Sequence, residues 1–123
     1  MIVGIGIDAV KISRMERWVN DSVLLERFFD PRELDSIRDR GAGMARSLAA
    51  RFAAKEAFGK ALGSGLTGIV LKDIMILSCG DEKPELHLEG SALEAMNAAG
   101  SGHAHISLTH EGDMALAFVV LET

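Results

Sequence analysis

The stretch SLAARFAAKEAFGKAL, residues 47–62, decides the fold of this chain. At 100° per residue it predicts a helix over residues 45–62 that ends at the glycine turn Gly63, Ser64 and Gly65. One face carries Ala50, Ala53, Ala54, Ala57, Phe58 and Ala61, and the other half carries Leu48, Phe52, Gly59 and Leu62. A helix that is apolar on nearly every side is typical of a buried element.

Four charged residues interrupt this apolar helix: Arg51, Lys55, Glu56 and Lys60. A buried charge is costly unless it is paired or bound to a ligand. Two interpretations stay open. Glu56 and Lys60 stand four residues apart, in the order that favours an ion pair within the helix. Alternatively, the charged side chains line a polar pocket.

The glycine turn follows Lys60 closely, and it also has two interpretations. Glycines let backbone amides approach a phosphate group, to which a lysine adds its charge. The spacing by itself favours a simple helix C-cap, and the C-terminal end of a helix dipole disfavours an anion. Lys60 would therefore supply most of the attraction for a phosphate.

The N-terminal segment predicts a strand over residues 2–10. A period of two places Val3, Ile5, Ile7 and Ala9 on one face, which we expect to be the core face. The opposite face carries Ile2, Gly4, Gly6 and Asp8. Asp8 is either a cap or turn residue, or it joins Glu56 in a site for a hard cation, since magnesium binds oxygen ligands such as carboxylates.

The rest of the chain predicts alternating helices and hairpins. Capping-box spacing predicts helices that start at Ser13, at Asp30 (ending near Gly41) and at Ser91 (ending at Gly100). Strands are predicted over residues 70–78 and 85–88, with a turn at 80–84, and over 105–109 and 114–121, with a turn at 111–113. This order favours an α+β fold with a mostly antiparallel sheet, in a single domain over residues 1–123.

Composition limits the possible functions. The chain has 123 residues and a formal net charge of −5, so it is not built to coat nucleic acid. The basic residues concentrate in the first half, where an acidic partner could dock. With one cysteine, Cys79, no intrachain disulfide can form. We expect a cytoplasmic protein with no membrane partner, because no signal peptide or membrane-spanning run is present.

A polar strand face lies near the C-terminus. His105, Ser107 and Thr109 share that face, and His110 follows at the turn. Such a face is either solvated or able to hydrogen-bond a phosphate or ribose. The histidines have no third ligand that would indicate zinc. The pair Gly4 and Gly6 lacks the third glycine of the dinucleotide fingerprint.

Three motifs resemble those of the holo-acyl-carrier-protein synthases, which are small 4′-phosphopantetheinyl transferases. They are GIGID at residues 4–8, RFAAKEA at residues 51–57 (continuing through KALG at 60–63) and HISLTHE at residues 105–111. Their order and the chain length also fit, so the resemblance covers essentially the whole chain. It implies the transferase fold and transfer of 4′-phosphopantetheine from coenzyme A to a serine of an apo acyl carrier protein. The other product would be adenosine 3′,5′-bisphosphate, and the pathway would be fatty acid biosynthesis.

The resemblance also implies a role for each site residue. Asp8 and Glu56 would bind Mg²⁺, Glu56 would be the base for the carrier serine, and Lys60 would contact the phosphates and help the leaving group. Residues around the coenzyme would be Arg51, Lys60, Gly63, Ser64, Gly65, Pro84, Thr109 and His110. Residues facing the acidic carrier would be Arg14, Arg17 and Arg27.

By the same resemblance the chain would form a homotrimer with active sites between subunits. Two departures from the family pattern stand out. Residues 41–50 contain only one base, Arg46, where some relatives carry a basic cluster, and Ser64 replaces a common threonine. Two other functions stay open: a non-enzymatic module that binds a nucleotide or an acidic protein, and a metal-assisted phosphotransferase that modifies another kind of carrier domain.

Overall fold

The long helix and the N-terminal strand form the centre of the fold. The structure, a computed structural model, describes residues 1–78 and 83–123. Its strands are β1 (Ile2–Lys11), β2 (Ile74–Leu77), β3 (Glu85–Leu88), β4 (His103–Glu111) and β5 (Met114–Glu122). Its α-helices are α1 (Ser22–Phe28), α2 (Pro31–Asp35), α3 (Met44–Leu62) and α4 (Gly90–Ala98). Three 3₁₀ helices cover Ile12–Trp18, Arg38–Gly43 and Leu71–Asp73.

The described strands form two antiparallel sheets, which confirms the α+β prediction. One sheet has the order β1–β5–β4, and the other pairs β2 with β3. The hairpin of β4 and β5 pairs in register from His103 opposite Glu122 to Glu111 opposite Met114. The larger sheet packs on α3, whose buried alanines Ala53, Ala54 and Ala57 allow a close approach.

The prediction for the two faces of β1 is wrong. Ile5 and Ile7 are 59% and 58% exposed, whereas Gly6 is buried and Gly4 and Asp8 are half-buried. The glycine face lies inward because α3 covers it so closely that only glycine fits. A Cβ atom on Gly4 would overlap the carbonyl oxygen of Ala61, and one on Gly6 would lie 2.7 Å from the nitrogen of Ala61.

Of the three helix starts predicted from capping boxes, one follows local capping and two follow tertiary contacts. Asp30 caps α2 in a complete capping box with Glu33, as predicted, although α2 ends at Asp35 and not near Gly41. The boxes predicted at Ser13 and Ser91 do not form. Ser13 bonds Asp113, and Ser91 bonds Asp73, 18 residues away.

Other elements also differ from prediction. The strand predicted over residues 70–78 shortens to β2, because Leu71–Asp73 form a 3₁₀ turn. The first strand of the C-terminal hairpin begins two residues earlier than predicted, at His103. Helix α1 was not predicted as a separate element. The turn predicted at 80–84 lies partly outside the described residues. Cys79 lies outside them.

We predict that Gly6→Ala destabilises the chain by about 3 kcal/mol, because the new methyl group would press on the helical backbone of α3, which cannot move aside. Urea unfolding measures the change. Gly102→Ala is the matched control, since a Cβ atom there meets Thr123 at 3.5 Å, an ordinary contact. Equal stability of both variants would contradict the close approach of β1 and α3.

Candidate active site

The contact between β1 and α3, here called the seam, brings an aspartate and a lysine together. Lys60 Nζ donates to Asp8 Oδ1 at 2.9 Å and to the carbonyl oxygen of Ile7 at 3.1 Å. The side chain of Asp8 is 17% exposed and that of Lys60 is 55% exposed. Lys60 therefore pairs with β1 and not with Glu56, which decides against the ion pair within the helix.

Glu56 lies one helical turn before Lys60, on the same side of α3, and is half-buried. Among residues 1–78 and 83–123, no group of three or more His, Cys, Asp or Glu side chains is placed to hold a metal ion. Any cation at this seam would therefore depend on two carboxylates, with water or a substrate supplying further oxygen ligands.

The other charged residues of α3 have different roles, beginning with Lys55. Lys55 is fully buried, and its Nζ donates to Glu33 Oε1 at 2.8 Å, to the carbonyl oxygen of Leu71 at 2.9 Å and to that of Ile74. Glu33 in turn accepts from the backbone amides of Asp30 and Ile76. Burial raises the pKa of Glu33 and lowers the pKa of Lys55, because desolvation disfavours both charges, while their mutual attraction opposes both shifts.

Arg51 forms a basic cluster with Arg40. Arg51 is 3% exposed; it donates from Nη2 to Ser78 Oγ at 3.2 Å, and its Nε has no partner among the described residues. Arg40 Nη1 donates to Ser47 Oγ at 3.1 Å. Burial, together with the charge of Arg40, lowers the pKa of Arg51 to about 10. Two neighbouring guanidinium groups hydrogen-bonded to hydroxyls can attract a phosphate.

The glycine turn is a helix C-cap, as the spacing favoured. Gly63 and Gly65 have φ angles of 83° and 69°, in the left-handed region where glycine has no steric cost. The Gly63 amide donates to the carbonyl oxygen of Lys60, and the Gly65 amide donates to that of Gly59, both at 3.0 Å. These two amides are therefore engaged with α3; Gly63 and Ser64 are exposed, and Gly65 is half-buried.

The remaining residues predicted to contact a coenzyme lie near the smaller sheet or on β4. Pro84 lines a cleft of about 260 Å³ between β3 and β4, together with Lys83 and His105. Thr109 and His110 are exposed on β4. The structure thus places these residues on separate elements from the Asp8–Lys60 pair within one chain.

The segment Ile12–Trp18, here called the arginine segment, carries Arg14 and Arg17, and Arg27 lies on the neighbouring helix α1. Trp18 stacks on Phe28 with ring centroids 5.5 Å apart and meets Phe52 edge-on at 5.6 Å. The guanidinium carbon of Arg14 lies 5.6 Å from the Phe52 ring centroid, and that of Arg27 lies 5.8 Å from the Phe28 centroid. Arg17 is exposed on the same segment. Cation–π contacts of this kind reduce the freedom of an exposed arginine.

Sequence reasoning missed three contacts: that of Glu33 with Lys55, that of Arg40 with Ser47 beside Arg51, and that of Asp113 with Ser13 beside Arg14. Glu33 gave a signal only as part of the α2 capping box, and that signal did not point to Lys55. Arg40 and Asp113 gave none, because their partners lie 7 and 100 residues away.

Comparison with known proteins places the chain in a family. Residues 4–119 match the model of the 4′-phosphopantetheinyl transferase superfamily. The chain is 53% identical over 122 residues to a holo-[acyl-carrier-protein] synthase of Treponema denticola, with 99% of each chain covered.

Solved structures support the same family assignment. The holo-[acyl-carrier-protein] synthase of Neisseria meningitidis superposes with a TM-score of 0.86 at 34% identity, with both chains fully covered. That of Helicobacter pylori, in complex with coenzyme A, gives a TM-score of 0.81 at 33% identity over 96% of this chain and 99% of the other. The chain therefore belongs to the 4′-phosphopantetheinyl transferase superfamily and, within it, to the holo-[acyl-carrier-protein] synthases. This membership confirms the predicted fold and the enzyme class, and it decides against the non-enzymatic module.

We predict that Lys55→Met destabilises the chain by roughly 3–5 kcal/mol, because the variant leaves Glu33 buried without its cation. Lys11→Met, at an exposed position, is the control and should change stability by less than about 0.5 kcal/mol. The midpoint of urea unfolding measures the change in stability of both variants. Similar small losses in the two variants would mean that the buried pair does not stabilise the fold.

Proposed function

We propose that this enzyme transfers the 4′-phosphopantetheine group from coenzyme A to a serine of an apo acyl carrier protein, releasing adenosine 3′,5′-bisphosphate, in fatty acid biosynthesis. The observation that carries the proposal is the Asp8–Lys60 pair, with Glu56 one helical turn before Lys60 on α3, at the positions that the family resemblance assigns to catalysis. The coenzyme bound to the similar Helicobacter pylori enzyme supports the choice of donor. In the reaction, the serine oxygen bonds to the β-phosphorus of coenzyme A, and the pyrophosphate bond to the leaving nucleotide breaks.

Asp8 and Glu56 are the residues that would hold Mg²⁺. They fit the ion because both offer carboxylate oxygens, and because the seam already holds a positive charge against Asp8, that of Lys60. When bound, Mg²⁺ neutralises negative charge on the pyrophosphate of coenzyme A.

Glu56 and Lys60 carry out the remaining steps of the proposed reaction. Glu56 accepts the serine proton, directly or through a water molecule, since its carboxylate is half-buried and has no strong ion-pair partner among the described residues. Lys60 is half-exposed and flexible, so it can leave Asp8 to contact the phosphates and stabilise the leaving group.

The coenzyme contacts follow from the cluster and the surfaces described above. Arg51 and Arg40 hold a phosphate together. Arg40 thereby supplies a second cation, which residues 41–50 do not, since Arg46 is the one basic residue among them. Gly63 and Gly65 leave room beside the exposed Ser64. Pro84, Thr109 and His110 complete the coenzyme surface, with the 3′-phosphate as the partner of His110.

The acidic carrier docks on Arg14, Arg17 and Arg27. These three arginines are exposed, and two of them lie over aromatic rings that hold them in place. The charge pattern supports this assignment, because a positive surface steers and orients an acidic partner.

We also propose that residues 1–123 form a single transferase domain and that three copies assemble into a homotrimer. The outer face of the larger sheet supports assembly. Ile5, Ile7 and Phe118 are exposed there, and Ile7 lies directly opposite Phe118 in the sheet register. A contiguous apolar face of this kind usually marks an interface. Within residues 1–78 and 83–123, none of the helices is both long and apolar enough to cross a membrane. The cytoplasmic location stays a prediction.

We predict that Glu56→Gln reduces transfer by about 100-fold or more, because an amide cannot accept the serine proton and binds a cation weakly. The assay mixes the chain, coenzyme A, Mg²⁺ and an apo acyl carrier protein, and follows the mass of the carrier. Glu94→Gln, on the exposed face of α4, is the control and should transfer normally. Full activity of Glu56→Gln would show that the base and metal assignments are wrong, and transfer to a different carrier domain only would redirect the substrate assignment.

For the assembly, light scattering should give a mass of three times the 13.2 kDa chain. Phe118→Lys should lower the mass to that of one chain, because a lysine in the centre of the apolar face cannot be buried without a partner. Val23→Lys changes a more exposed apolar residue on α1, outside the sheet face, and should leave the trimer intact. A wild-type chain that elutes as a monomer would contradict the proposal.

A further inference from the structure

The turn between β4 and β5 holds the start of the arginine segment. Asp113 Oδ1 accepts from the Ser13 amide at 3.0 Å, and Oδ2 accepts from the Ser13 hydroxyl at 2.6 Å. The carbonyl oxygen of Asp113 also accepts from the Ile12 amide at 2.8 Å. Three hydrogen bonds thus join the first two residues of the segment to a turn 100 residues away along the chain.

The arginine segment has no cap of its own. Lys11, at its N-cap position, makes no side-chain hydrogen bond to the segment. The first amides of a helix need acceptors, and a 3₁₀ helix has weaker internal bonds than an α-helix. Asp113 supplies these acceptors, and Arg14 follows Ser13 directly.

The chemistry of the contact is that of a charge-assisted cap. Hydrogen bonds from the Ser13 hydroxyl and amide lower the pKa of Asp113, so its carboxylate is charged at neutral pH. Both carboxylate oxygens are then committed to Ser13. The contact connects the segment that carries Arg14 to the hairpin that carries Thr109 and His110.

We propose that Asp113 is a positioning residue for the acyl carrier protein: by capping the arginine segment, it sets the position of Arg14 for docking. This inference rests on the proposed function. Because Asp113 bonds Ser13, which precedes Arg14, we expect its effect on the carrier and not on coenzyme A.

The direction of the change in carrier binding distinguishes a positioning role of Asp113 from a purely electrostatic one. Asp113 is an acid close to a surface that binds an acidic partner, so its charge by itself repels the carrier. If charge were its only role, Asp113→Ala would bind the carrier more tightly. Positioning requires the opposite result.

Steady-state transfer tests the proposal, with the apo carrier varied at saturating coenzyme A and then the reverse. Asp113→Ala should raise KM for the carrier about tenfold and change KM for coenzyme A by less than about twofold, as expected for the loss of two charge-assisted hydrogen bonds. Arg14→Glu is the reference variant with the same selective loss, and Glu94→Ala removes a distant exposed carboxylate as the control.

Ser13→Ala keeps the test decisive if Asp113→Ala folds poorly. It removes only the hydroxyl bond and should raise KM for the carrier about threefold, and by less when added to Asp113→Ala, because both changes break one contact. An unchanged or lower KM for the carrier in both variants, equal rises for both substrates, or additive effects would overturn the role of Asp113 alone. Absence of any transfer by the wild-type chain would overturn the proposed function and this role with it.

Discussion

The close approach of β1 to α3 is the constraint on which the rest of the structure depends. Gly4 and Gly6 have no side chains, so the strand backbone lies against the backbone of Ala57 and Ala61. With the two backbones in contact, Asp8 reaches Lys60, which stands between Ala57 and Ala61 on the same turn of the helix. A larger residue at either glycine would move the strand outward and separate the groups that the proposed chemistry needs.

The buried pair of Lys55 and Glu33 holds α3 on its other side. Lys55 donates to a carboxylate from α2 and to two carbonyl oxygens next to β2, so a single ammonium group ties three elements together. A buried ion pair is weak evidence for stability, yet removing one partner is costly because the other charge is then stranded. Since Glu56 is the next residue, the anchor that orients the helix also determines which way Glu56 faces.

The sequence predicted the class of fold more reliably than it predicted the contacts of individual residues. The long helix, the two hairpins and the box of Asp30 and Glu33 followed from periodicity and local spacing. The core face of β1 was assigned wrongly, because hydrophobicity favours the isoleucine face and the pattern does not reveal that this face is left uncovered in the single chain. The boxes at Ser13 and Ser91 failed because acids from distant segments, Asp113 and Asp73, bond these serines.

By itself, the sequence determined the family, the helix that carries the charged residues and the glycines that permit close packing, because these depend on residue types at short, regular spacings. Only the tertiary structure decided that Lys60 pairs with Asp8, that Lys55 pairs with Glu33 and that Asp113 caps the arginine segment. Those choices join residues 22 to 100 positions apart, and they are made by the packing of the elements. The buried Lys55 must find a partner because an unpaired charge removed from water is costly, whereas Lys60 and Asp113, which are exposed, take the partners that the packed elements bring within reach.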